Sequence, residues 1–379
     1  MPKVFETLKD WCPATYFHTL HYLASKSLLI IRHIFPLFET LIENLYYFEW
    51  ILHHNPDWRT YRDHILHTFK VGWLGHWLLD QRKIMKNTLQ LIKSNERVQN
   101  LLTYLALSQD EIDNSLVRAA WWLAVLFHDV GYAYDLVRKL EDKIEQMYPF
   151  HRKPPISPND EDLKGIDFEH TLLYSFLHKE AFGNPKDSGE LNNDEKDYRF
   201  RYICSIVEND MNLNHGIIGA LFLHFALHEH EQYASYPSRA KLILNLAAEA
   251  ILMHEIIYAR QTSLCQPLKY RDLNKGGLRF DAKEMPLGCL LILCDESQER
   301  ARLSLQPIDY RRDPNKKLWL DNSRDPKIPQ ADRFEYEERT NTLRFSKEFS
   351  EKYRNQGKVL SQKNRFRISA LVHLDWNNL

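Results

Sequence analysis

The stretch SLVRAAWWLAVLFHDVG, residues 115–131, decides the reading of this chain. A long apolar run ends in an adjacent His128–Asp129 pair, and Gly131 follows two positions on. Val117, Ala120, Ala124 and His128 recur at helical spacing, so the histidine lies on the stripe a helix turns toward a core. A carboxylate in such a place costs several kcal/mol to bury unless it is paired or metal-bound. The pair therefore asks for partners, and the rest of the chain offers them.

Four further helical segments carry a histidine or an acid in the same way. In Arg62–Asp80, His64, His67, Val71, Leu74 and Leu78 share a face. Asn209–Glu231 aligns His215, Ile218, Gly219 and Phe222, and Ser238–Gln261 aligns Leu244, Ala247, Ile251 and His254. In a helix from about Pro286 to Leu303, the stripe is Leu287, Leu291, Asp295, Gln298 and Arg302, with Asp295 directly after PLGCLLILC. Two acids among four imidazoles, all expected on buried faces, have one common explanation. It is a divalent metal centre, for which neutral imidazole nitrogen and carboxylate oxygen are suitable ligands. His170, in FEHTLLYSFL, competes with His215 for the third histidine position. Gly219, four residues after His215, favours His215 because it lets helices approach closely.

The order H…HD…H…H…D, carried by His67, His128–Asp129, His215, His254 and Asp295, resembles the HD-domain superfamily of metal-dependent phosphohydrolases. The local contexts are similar too: HTFKVGWLG (67–75), FHDVGYAYD (127–135), HGIIGALFL (215–223), LMHEI (252–256) and LLILCDESQERAR (290–302). The resemblance covers about residues 60–305. Tyr132 and Ala133 stand where a lysine often follows the HD pair, and EIIYARQTS after His254 lacks the signature of the cyclic-di-GMP phosphodiesterases.

The resemblance implies an HD-type helical bundle holding two divalent ions (Mn, Fe, Mg, Ni, Co or Zn). His67, His128, Asp129 and Asp295 would hold one, and Asp129 would bridge to a second held by His215 and His254. Two such ions and two carboxylates leave the centre positive, which attracts a phosphate. A metal-bridging hydroxide would attack phosphorus while the centre steadies the phosphoryl oxygens. The expected substrate is a small phosphorylated molecule, a nucleotide, cleaved at a phosphoester or phosphodiester bond. Besides Asp129, the catalytic candidates are Lys70, one turn past His67, and Gln298 and Arg302, one and two turns past Asp295. His64 is either a support for the ligands or a core histidine. Tyr132 and Tyr134 are candidates for stacking or hydrogen bonding at the mouth, while His224, His228 and His230 read as structural or surface. Two other functions stay open: a ligand-sensing or interaction protein with a structural metal site, and a di-iron oxygenase using the same ligands. No P-loop, Rossmann fingerprint or GxSxG competes.

Composition sets the frame for this domain. Glycine is scarce, 12 of 379 residues, which favours helices over a many-stranded fold. Fifty basic residues against 51 acidic ones leave a net charge of −1, so no general nucleic-acid footprint is expected. With 44% hydrophobic and 27% charged residues the chain is of ordinary globular type. Cys12, Cys204, Cys265, Cys289 and Cys294 form no CxxC pair and suggest neither a zinc ribbon nor a disulfide framework. No signal-peptide pattern and no membrane-length apolar run is found, so a cytoplasmic location without membrane association is expected. The expected organisation is mainly α. Residues 1–55 form an N-terminal helical extension, a cap or a homo-oligomer surface. Residues 56–305 form the metal-binding helical domain, with a polar insertion at 149–200 that could cover a site. Residues 306–379 form a small α+β appendage with strands in RFEYEERTNTLRFSK and RFRISALVHLDW.

Overall fold

The computed structural model describes residues 64–132, 168–182, 193–210, 215–228, 237–256, 282–299, 334–345 and 369–375. These include nine α-helices and a three-stranded sheet, so the described part is mainly α. The helices are α1 (His64–Asp80), α2 (Arg82–Ser94), α3 (Glu96–Tyr104), α4 (Asn114–Phe127), α5 (Leu172–Phe182), α6 (Asn193–Asp210), α7 (His215–His228), α8 (Ser238–Ile256) and α9 (Pro286–Glu299). The extension expected over residues 1–55 lies outside the described residues, as does most of the polar insertion.

The bundle is organised around α4 and α8. α8 packs against α4, α5, α7 and α9, and α1 packs against α4 and α9. α4 starts where the Asp113 carboxylate accepts a hydrogen bond from the Leu116 amide at 2.9 Å, a standard N-cap. Arg239 at the start of α8 reaches the same carboxylate at 2.6 Å, which ties the two central helices together at that end. From Leu116 to Phe127 every residue of α4 except Arg118 is buried, as expected for a helix surrounded on all sides.

Two glycines set the spacing of α1 and α4. A Cβ on Gly75 would lie 1.9 Å from the Trp121 ring, and one on Gly72 would lie 2.5 Å from the Trp122 ring. Both tryptophans are fully buried, so each indole fills the space a glycine leaves open. The Trp121 indole N–H donates to the Gly72 carbonyl at 3.1 Å, and the Trp122 N–H donates to His76 Nδ1 at 3.2 Å. This satisfies the polar ends of both rings inside the core. Fixing α1 on α4 also fixes His67 relative to His128.

The sequence reading missed three features of the helical body. Residues 82–104 hold two helices, α2 and α3, that meet at Asn95, whose side-chain oxygen caps α3 by accepting from the amides of Arg97 and Val98. The polar insertion gives way to helix at Asn193, and α6 runs to Asp210. A helix beginning near Asn209 is therefore corrected: Asn209 and Asp210 end α6, and α7 begins at His215. The first half of α6 is charged, but Phe200, Ile203 and Cys204 recur at helical spacing and are buried.

Strands β1 (Phe334–Glu337), β2 (Thr342–Phe345) and β3 (His373–Asp375) lie in the order β1-β2-β3. β1 and β2 are antiparallel with Glu335 opposite Arg344, while β3 runs parallel to β2 with Leu374 opposite Leu343. Asn341 takes the left-handed conformation in the hairpin turn (φ 53°), and its side chain donates to the Leu371 carbonyl at 2.7 Å. Leu343, Phe345, Leu371 and Val372 join the hydrophobic core of the helices. Asn87 of α2 donates to the Ala370 and Leu371 carbonyls. The sheet is thus seated on the helical body.

Candidate metal centre

Six side chains from α1, α4 and its C-terminal turn, α7, α8 and α9 meet at one place. His67 Nε2 lies 2.9 Å from Asp295 Oδ1 and 3.8 Å from Asp129 Oδ2. His128 Nε2 lies 3.4 Å from both His67 Nε2 and Asp129 Oδ1. His215 Nε2 lies 3.2 Å from His254 Nε2 and 4.0 Å from Asp129 Oδ1. The four imidazoles are buried, His215 being the most exposed at 9%. Asp129 therefore stands between two groups, His67–His128–Asp129 and Asp129–His215–His254, each with donor atoms within 4.8 Å of one another.

Local structure explains which atoms face the centre. His128 caps the C-terminus of α4, and its Nδ1 donates to the Val125 carbonyl at 2.7 Å. His254 Nδ1 donates to the Ile251 carbonyl at 2.5 Å. A proton held on Nδ1 leaves the lone pair on Nε2, so both rings aim an acceptor into the centre. Gly131 lets the turn after Asp129 pass against α7: a Cβ there would sit 2.1 Å from the His215 carbonyl oxygen. Gly219 does the same one turn further along α7, where a Cβ would meet the Phe127 carbonyl at 2.9 Å.

The electrostatics follow from burial and proximity. Burial, then the neighbouring His254, holds His215 well below the ordinary histidine pKa. Burial and His128 lower His254 in the same way. Burial pushes the Asp295 carboxyl up, but the hydrogen bond from His67 and the nearby His67, His128 and His254 outweigh it, holding Asp295 well below the usual carboxylate range. For His215, His254 and Asp295, the ligand forms required by a metal, neutral imidazole and ionised carboxylate, are thus the forms favoured here.

The donor set fits divalent ions. Metal–donor bonds of about 2.0–2.2 Å put neighbouring donors about 3 Å apart and opposite donors about 4 Å apart. The separations of 2.9–3.4 Å and 3.8–4.0 Å fall in those two classes. His67 and Asp295 are joined by a proton on the imidazole, and a divalent cation is the other species that can sit between such a nitrogen and oxygen.

The remaining candidates have different surroundings. His170 lies away from the centre in a 3-10 turn, stacked on the exposed Tyr104 with ring centroids 4.0 Å apart. Lys70 is buried on α1. His64 opens α1 and Gln298 lies near the end of α9, but their side chains, like all of Arg302 and Tyr134, lie outside the described residues. His224 is fully buried on α7, and burial alone pushes its pKa down to about 4. Tyr132 stacks face to face on His215, with ring centroids 3.7 Å apart and planes 25° apart.

A second buried polar cluster was absent from the sequence reading. Arg97 Nη1 pairs with Glu249 Oε1 at 2.5 Å, and Arg97 Nη2 donates to the Glu284 carbonyl at 3.0 Å. Asn245 accepts from the Leu172 amide at 2.9 Å, so α8 anchors the start of α5. Burial raises the Glu249 pKa against the pull of Arg97. The available signal was a lone acid in the apolar run AAEAILM, the same kind of clue that Asp295 gave.

Comparison with protein-family models, curated proteins and solved structures gives no match. Among the described residues no helix is long and apolar enough to cross a membrane.

Proposed function

We propose that the chain is a metal-dependent phosphohydrolase of HD type, cleaving a phosphoester or phosphodiester bond of a nucleotide. The observation that carries this reading is the convergence of His67, His128, Asp129, His215, His254 and Asp295, with Asp129 common to both halves. Bound divalent ions would activate water and offset the negative charge of a phosphate. His67, His128, Asp129 and Asp295 would hold one ion, and Asp129, His215 and His254 the other.

The chain's own residues supply orientation and charge. The carbonyls of Val125 and Ile251 keep His128 and His254 turned with Nε2 inward. Without an ion, ionised Asp295 accepts a hydrogen bond from His67 Nε2, and a bound cation would take the place of that proton. The four imidazoles bring no charge of their own when neutral, so the centre keeps a positive excess for an anionic substrate. Lys70, Gln298 and Arg302 remain the candidates for binding phosphate oxygens. A local attraction of this kind needs no basic surface, in keeping with the net charge of −1.

The test is a panel of nucleotides and phosphodiesters incubated with the full chain and Mn²⁺. Phosphate or nucleoside release that disappears on adding a chelator, and in Asp129→Ala, is the expected result. No turnover of any member by protein carrying two ions would overturn the phosphohydrolase reading. An oxygen-dependent optical spectrum of the iron-loaded protein would then identify the oxygenase alternative.

A further inference from the structure

We infer that Tyr132 is a positioning residue that sets the ring plane of His215 and so controls the Asp129–His215–His254 half of the centre. This rests on the metal-centre reading above. His128 and His254 are braced alike: each donates Nδ1 to the carbonyl three residues earlier, in the preceding turn of its own helix. His215 is placed differently. It is the first described residue of α7 and is packed between two rings. Its ring lies flat against Tyr132 on one side and meets His254 edge-on on the other, with centroids 5.1 Å apart at 68°.

Tyr132 is itself held in place. Its amide donates to the Asp129 carbonyl at 3.0 Å. Gly131, between them, lies so close to the His215 backbone that only a glycine fits. One short turn therefore carries the shared carboxylate, the glycine that touches the backbone of His215, and the ring that faces its imidazole. Tyr132 is 38% exposed, so it flanks His215 on the solvent side of an otherwise buried set. In the triad with His67, the His67 and His128 rings contact each other, with centroids 5.4 Å apart. Partners that orient a metal ligand commonly change metal affinity by about 10–100-fold when removed. Here that effect falls on one half of the centre.

The experiment titrates metal-free full-length protein with Mn²⁺ alone, following free Mn²⁺ by electron paramagnetic resonance. The wild type is expected to bind two equivalents. In Tyr132→Leu, which keeps bulk but removes the ring, the weaker equivalent loses about 10–100-fold in affinity and the tighter one changes by less than about two-fold. Tyr132→Phe restores both. In a His215→Ala background, Tyr132→Leu causes no further loss, which separates action through His215 from a general effect on folding. Two unchanged equivalents in Tyr132→Leu overturn the positioning role alone. Equal loss of both, unrescued by Phe or repeated in the His215→Ala background, also overturns it. A wild type that binds no Mn²⁺ overturns the metal reading and this inference together.

Discussion

Gly131→Ala tests the contact between the turn after the HD pair and α7. The added methyl would stand 2.1 Å from the His215 carbonyl oxygen, 2.7 Å from its Cα and 2.8 Å from its carbonyl carbon. All three neighbours are backbone, so no side chain can rotate away. Contacts of this kind do not occur below 3.0 Å, so either the turn or the start of α7 must move by about an ångström. Overpacking of this sort costs about 1–3 kcal/mol. The stability loss corresponds to several degrees in Tm for a chain of this size. The same displacement separates His215 from Asp129, so Mn²⁺ affinity at that half falls by about 10–100-fold. Differential scanning fluorimetry and Mn²⁺ titration of the same preparations measure the two effects. A variant with wild-type Tm and two wild-type Mn²⁺ affinities would refute the packing of this turn on His215.

Three more outcomes follow from the interior. Gly75→Ala places a methyl 1.9 Å from the fully buried Trp121 ring and is expected to lower stability by about 1–3 kcal/mol in urea denaturation, whereas a midpoint equal to wild type would contradict the α1–α4 packing. Glu249→Ala leaves Arg97 charged in the core and costs about 3–5 kcal/mol, while the double change Arg97→Met with Glu249→Met recovers most of it; an equally unstable double variant would contradict the pairing. His224 is held neutral by burial, with a folded pKa of about 4 against 6.5 when unfolded. The unfolded state therefore binds its proton first as pH falls, and between pH 6.5 and 4 this residue withdraws about 3 kcal/mol of stability. His224→Leu should flatten that part of the urea-midpoint profile, and an unchanged slope would count against its burial as a neutral ring.

The apolar stripes made much of the centre legible. His67, His128, His215 and His254 each occupy a helical position that also carries core residues, and Asp295 follows a run too apolar to end in an acid without cause. The close approach at Gly219 was legible because a missing side chain between two helices is a local property of sequence. Contacts formed through space were not legible. Nothing in the spacing of Gly131 and His215 says that their backbones touch, and nothing near Arg97 says that it pairs with Glu249. α6 was hidden because its first turns are charged, and among its described side chains Phe200, Ile203 and Cys204 reveal the buried face. The strands were easier, since RFEYEERTNTLRF alternates on both sides of a polar turn.

The central claim is that one shared carboxylate, Asp129, joins two sets of metal ligands. Its most direct test is the metal content of the protein after loading with Mn²⁺ and removal of excess, measured by inductively coupled plasma mass spectrometry. The account predicts about two ions per wild-type chain, about one in His254→Ala and close to none in Asp129→Ala. A wild-type chain that retains no Mn²⁺, or an Asp129→Ala variant that retains as much as wild type, would contradict it.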